Sequence, residues 1–181
     1  MRRRTVTTQV RTLIAAGCLT AFIVPPLSAS GGTSATAAKL SAKGATIQRE
    51  ANLYEIDQVE RAFHKAGSTH NVNLMMSLWA PGSTFNIGTN TYTGKAQIRR
   101  FFATKNPAFQ PQNHWESDTP SYKIKVTLSG ENKATLYFEC HYVDVRTGIM
   151  RAVVGVDHNL QKINGKWLIV SGSGAAARLS Q

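Results

Sequence analysis

Between Tyr122 and Gly172, apolar and polar residues alternate through three turn signals, which predicts four antiparallel strands with one apolar face. Asn164-Gly165 is a two-residue hairpin signal that needs positive φ at both positions, and Gly130-Glu131-Asn132 and Arg146-Thr147-Gly148 predict three-residue turns. Counting outward from these turns sets Ser171 opposite His158, Val154 opposite Cys140, and Phe138 opposite Ile124. The inner face then holds Tyr122, Ile124, Val126, Leu128, Ala134, Leu136, Phe138, Cys140, Tyr142, Ala152, Val154, Val156, His158, Leu160, Trp167, Ile169 and Ser171. The outer face holds Lys123, Lys125, Glu139, His141, Arg151, Asp157, Asn159 and Gln161.

Upstream the period changes from two to 3.6. Ile56, Val59, Phe63 and Ala66, with Leu53 beside them, predict a helix capped by Thr46 and stopped by Gly67. Asp57 and Arg61 sit one turn apart on its solvent side. Asn71 caps a short second helix carrying Leu74, Met75, Leu78 and Trp79, ended by Pro81-Gly82. Thr84 to Ile87 and Thr91 to Thr93 predict a small hairpin. Gly94 opens a third helix, with Ile98, Phe101 and Phe102 on one side and Arg99 and Arg100 on the other, and Asn106-Pro107 ends it. Helices followed by a curved antiparallel sheet make an α+β fold, with the three helices packed on the concave face.

The chain begins differently. Residues 1–37 hold no acid, and Arg2, Arg3, Arg4 and Arg11 precede an apolar run from Leu13 to Val24 and small residues at Ser28-Ala29-Ser30 and Ala35-Thr36-Ala37. That is the layout of a secretory signal peptide, and it predicts a chain exported to the medium or the cell envelope, with no stable membrane span after cleavage. Residues 38–45 then predict a flexible linker, 46–175 a single domain, and 176–181 a tail. Removing residues 1–37 takes four arginines from the formal charge of +11 and leaves +7. The remaining cations are scattered without interleaved aromatics, which argues against nucleic acid as a partner. One cysteine, Cys140, stays in the processed chain, so no disulfide can form within it.

Two stretches resemble the nuclear transport factor 2-like superfamily, most of all its SnoaL-like bacterial branch. They are Leu78-Trp79-Ala80-Pro81-Gly82-Ser83-Thr84-Phe85 and Tyr92-Thr93-Gly94-Lys95-Ala96-Gln97-Ile98-Arg99-Arg100-Phe101-Phe102. Asn164-Gly165-Lys166-Trp167 resembles that family's closing hairpin. The resemblance implies a cone-shaped half-barrel with a pocket at its mouth, in a family that spans isomerases, cyclases, dehydratases and non-catalytic binding or dimerisation modules. It does not by itself set the activity. Compared with the family's steroid isomerases, Ile87 stands at the general-base position and Phe63 at the oxyanion-holding tyrosine, while Asp157 faces outward, so that machinery is lost.

The candidate chemistry therefore rests on the inner face. As catalytic candidates, His158 or His114 would serve as general base and Tyr142 or Tyr122 as oxyanion donor, with Asp144 beside Tyr142. As ligand-binding candidates, Tyr122, Cys140, Ser171, Trp79, Phe85 and Trp115 would line a pocket. No metal-ligand spacing, nucleophile triad or phosphate loop occurs, so neither metal nor cofactor is expected. Three readings stay open. The first is an exported module binding a small apolar or aromatic molecule, paired as a homodimer through the outer sheet face. The second is a cofactor-free lyase, isomerase or cyclase. The third is a protein-interaction or dimerisation domain with a closed core.

Overall fold

The computed structural model describes residues 33–178. Helix α1 spans Thr33–Ser68 and α2 spans Val72–Ser77; β1 (Trp79–Ile87) and β2 (Asn90–Thr93) form a hairpin, followed by α3 (Gly94–Thr104) and a 3-10 turn at Pro107–Phe109. Five strands complete the chain: β3 (Trp115–Ser117), β4 (Ile124–Leu128), β5 (Lys133–Asp144), β6 (Ile149–Ile163) and β7 (Lys166–Arg178). They make one unclosed seven-stranded sheet in the order β2-β1-β7-β6-β5-β3, with β4 also paired to β5, and the helices cover one side.

The expected α+β architecture holds. The sheet, however, is mixed, because β1 runs parallel to β7 while every other pairing is antiparallel. Trp79 belongs to β1 rather than to the second helix. The backbone of Ile169 donates to the carbonyl of Leu78 at 2.8 Å, which draws this segment into the sheet. Pro81-Gly82 then falls where the β1–β7 register shifts, a place that tolerates the missing proline N–H.

Asn71 caps α2 as expected, its side chain accepting from the backbone N–H of Leu74 at 2.9 Å. Residues 38–45 are helical where a flexible stretch was expected. They continue α1, because alanine, leucine and lysine dominate there and Gly44 is the one weak helix former. Thr46 is accordingly no cap; its hydroxyl donates back to the carbonyl of Ala42 at 3.0 Å. At the other end of the domain, residues 176–178 extend β7 instead of starting a tail. The signal-peptide expectation falls, up to residue 32, outside the described residues, as do residues 179–181 of the tail. Among the described residues no helix is long and apolar enough to cross a membrane.

Two of the three turn-derived registers are observed, Ile124 opposite Phe138 and Cys140 opposite Val154. The third is displaced by one residue. A bulge between Asn159 and Leu160 sets His158 opposite Gly172 and Asn159 opposite Ser171. The core lies between α1, α3 and the concave face, where Phe63, Trp79, Phe85, Phe102, Phe109 and Phe138 are buried together. Most of their rings meet edge-on or tilted, as in Phe63 with Phe138 at 5.2 Å and Phe102 with Phe109 at 5.1 Å, while Phe85 stacks on Phe102 at 5.8 Å.

Candidate functional site

A cavity of about 410 Å³ opens between α3, the β1–β2 hairpin and the concave face. Its depth is apolar, formed by Phe63 from α1, Phe102 from α3 and Val156 from β6. Cys140, Tyr142, Ala152 and Val154 supply the sheet wall, and Phe85, Tyr92, Phe101 and Trp115 the aromatic sides. Exposed Gly88, Asn90 and Lys105 form the rim. The Lys105 ammonium sits 5.8 Å from the centre of the Tyr92 ring, and among the described residues no carboxylate pairs with it.

The polar groups of the wall are neutral. Burial pushes the Cys140 thiol up to about 12, so it is a protonated, unreactive thiol. Burial likewise raises the Tyr142 hydroxyl well above its ordinary value, which keeps it a hydrogen-bond donor. Among the described residues neither a carboxylate nor an imidazole lines the cavity. Among the described residues no group of three His, Cys, Asp or Glu side chains is placed to hold a metal ion.

Of the expected site residues, Tyr142, Cys140, Phe85 and Trp115 come together around this cavity. The others do not. His158 is buried among Phe63, Trp79 and Phe138, with ring centres 5.3 to 5.6 Å away, and neither of its nitrogens has a partner. Burial lowers its pKa to about 3, so it is a neutral core side chain rather than a base at the pocket. Its presumed partner Ser171 faces outward, where its hydroxyl accepts from the Asn159 amide at 2.8 Å.

Trp79 is wholly buried in the core beneath the pocket wall rather than lining it. Tyr122 precedes the first residue of β4, is 86% exposed, and lies over the His141 ring instead of the concave face. Asp144 is spent at the β5–β6 turn. Burial works to raise its carboxyl, but the Arg146 backbone N–H at 3.0 Å and the Arg151 guanidinium at 3.4 Å hold it below the usual range. His114 is outside the pocket lining, and its carbonyl accepts from the backbone of Val145 at 2.9 Å. Asp157 is exposed on the outer face, as expected.

The structure also builds a cluster that the alternation of the strands does not announce. Glu60 and His64, one turn apart on α1, are completely buried against β3 and the segment leading to β4. The Glu60 carboxylate accepts the backbone N–H of Ser121 at 2.9 Å and the Ser121 hydroxyl at 2.5 Å. The Ser121 hydroxyl, donating to Glu60, also lies 2.7 Å from His64 Nε2, which is itself 3.1 Å from the Glu60 carboxylate, and His64 Nδ1 lies 2.5 Å from the Ser117 hydroxyl. Burial works to raise the Glu60 carboxyl, yet the hydrogen bonds from His64 and Ser121 outweigh it and hold it below the ordinary value. The Ser68 hydroxyl adds a second tie, accepting the Ser117 backbone N–H at 2.8 Å. These bonds fasten β3 to α1, and β3 carries Trp115 into the pocket wall. His64 itself stands behind the wall, with Nε2 3.9 Å from the Cys140 sulfur. The sequence signal was an acid and a histidine four apart on the same side of the helix as Ile56 and Phe63.

No family model matches the sequence, and no curated protein does. Solved structures match the fold. An NTF2-like protein with a cystatin-like fold from Novosphingobium aromaticivorans superposes with a TM-score of 0.65 at 15% identity, over 75% of this chain and 88% of that one. This chain has the NTF2-like fold. A hexachlorocyclohexane dehydrochlorinase, LinA-type3 from Novosphingobium barchaimii LL02, gives a TM-score of 0.61 at 12% identity, over 75% and 94% of the two chains. A protein of unknown function with a cystatin-like fold from Nostoc punctiforme PCC 73102 gives 0.59 at 17%, over 68% and 90%. Enzymes and proteins without assigned activity share this NTF2-like cone, so the pocket rather than the fold has to carry the function.

Proposed function

We propose that this chain is an exported module that binds a small apolar or aromatic molecule in the cone pocket, with the Lys105 ammonium at the rim meeting an acidic or strongly polar end of the ligand. The observation that carries the reading is the lining itself. A cavity of about 410 Å³ suits a small ligand, its walls are aromatic and aliphatic, and among the described residues its one ionised group is at the rim. Turnover by a general base is the weaker reading, because His158 and His114 lie away from the lining and both nitrogens of His64 are engaged. Export rests on the basic, apolar and small-residue order of residues 1–37.

Anilinonaphthalene sulfonate, an apolar fluorophore with an anionic end, is a suitable probe. Saturable binding at one site is expected, lost when Ala152→Trp fills the cavity from its sheet wall and weakened by Lys105→Ala. Unchanged binding by a folded Ala152→Trp chain would place the probe elsewhere and sink the reading.

A further inference from the structure

We infer that the first half of α1 is a pairing surface for a second copy of this chain, joined as an antiparallel helix pair. Residues 36–51 of α1 are exposed on every side. Within that stretch and the next turn, Ala37, Leu40, Gly44, Ile47, Ala51 and Tyr54 follow one another at spacings of three and four, which is the seam of a coiled coil. Leu40, Ile47 and Tyr54 are 66%, 60% and 66% exposed, although each is a large apolar side chain. At 3.6 residues per turn the seam is rotated by about 120° from the stripe of Ile56, Val59 and Phe63 that faces the domain, so the domain cannot cover it.

The seam names its own partner. Small residues (Ala37, Gly44, Ala51) alternate with large ones (Leu40, Ile47, Tyr54). Set antiparallel on a second copy, Ala37 meets Tyr54, Leu40 meets Ala51 and Gly44 meets Ile47, so every layer places one large side chain over a small one. In parallel, large would meet large and glycine would meet glycine.

The flanking charges agree. Antiparallel pairing brings Lys43 beside Glu50 of the other copy, whereas parallel pairing would bring Glu50 beside Glu55. A lipid surface is a poorer occupant, since half of the seam is glycine or alanine and offers little apolar area. The outer sheet face is also less suited to the second copy. Its Lys123 is paired within the chain with Glu139 at 3.1 Å, and that pair would have to be stripped of water.

The test uses residues 33–181, which leave out the apolar leader and Cys18 and keep Cys140 as the one cysteine. In sedimentation velocity over a concentration series, a reversible dimer is expected. Leu40→Asp together with Ile47→Asp should raise its dissociation constant more than about 100-fold, since two carboxylates would be buried in the seam. The thermal transition of the domain should not move. Mixing Leu40→Cys chains with Ala51→Cys chains should give a mixed disulfide under mild oxidation. A monomer at all concentrations overturns the inference. So does a dimer that survives the aspartates, which would place pairing on the sheet face, or binding of the wild-type monomer to anionic vesicles that the aspartates abolish. Efficient disulfide formation by Leu40→Cys alone overturns the antiparallel arrangement.

Discussion

Replacing His158 with leucine isolates the cost of keeping an imidazole neutral in an apolar core. In the folded chain its pKa is about 3, and in the unfolded chain it returns to about 6.5. Above pH 6.5 neither state carries the proton and the residue adds no pH dependence. As pH falls from 6.5 towards 3 the unfolded chain takes up the proton and the folded one does not, so stability falls by about 1.4 kcal/mol per unit. Between pH 7 and pH 5 that amounts to about 2 kcal/mol from this one side chain. Leucine abolishes the effect. It also removes two buried nitrogens that have no partner, so at pH 7 the variant should be as stable as the natural chain or more so by up to about 1 kcal/mol. Urea titrations followed by tryptophan fluorescence at pH 7 and pH 5 supply the comparison. The natural chain should lose about 2 kcal/mol more than His158→Leu over that step. Equal losses in the two chains would refute the reasoning and mean that the ring finds water or a partner that accommodates its charge.

Gly172→Ala would set a Cβ 2.5 Å from His158 Cδ2 and 3.1 Å from the Trp79 ring, and should cost about 1–3 kcal/mol in the same titration; in a double-mutant cycle part of that cost should return with His158→Ala. Glu60→Gln keeps the shape of the clasp but removes its charge, and should cost about 3 kcal/mol at pH 7 by thermal unfolding. Because the Glu60 carboxyl is held below its ordinary value, that contribution is present above about pH 4.5 and fades as acid protonates the folded form, so the Gln variant should show a flatter stability profile below pH 4.5. Cys140, with its thiol pushed up to about 12, should resist Ellman's reagent in a Cys18→Ser chain until urea unfolds it; rapid reaction in the native state would contradict its burial.

The sheet was legible where turns and alternation agreed. Asn164-Gly165 and Gly130-Glu131-Asn132 fixed registers because positive φ and a polar tip admit few loop geometries. What alternation cannot carry is an added residue. The bulge beside Leu160 turned Ser171 outward and left His158 without the hydroxyl that an unbroken count had assigned to it. The parallel β1–β7 pair was hidden for a related reason: contacts between strands so distant in sequence leave no local period. Helix α1 was read too short because Ser, Thr and Gly suggested a linker while the alanines between them favoured a helix. At the pocket, aromatic and inner-face positions found Phe85, Trp115, Cys140 and Tyr142. The Glu60–His64 clasp stayed unread because its serine partners lie more than fifty residues away in irregular or three-residue segments.

The placement of β7 between β1 and β6 bears on when this protein can become itself. The hairpin of β1 and β2 has no seat in the sheet until residues 166–178 have been made, since among the described strands β7 alone pairs it with the others. Half of the cone, and with it the aromatic side of the pocket, must therefore wait for the final strand to arrive. A chain built in this order leaves the ribosome unfinished.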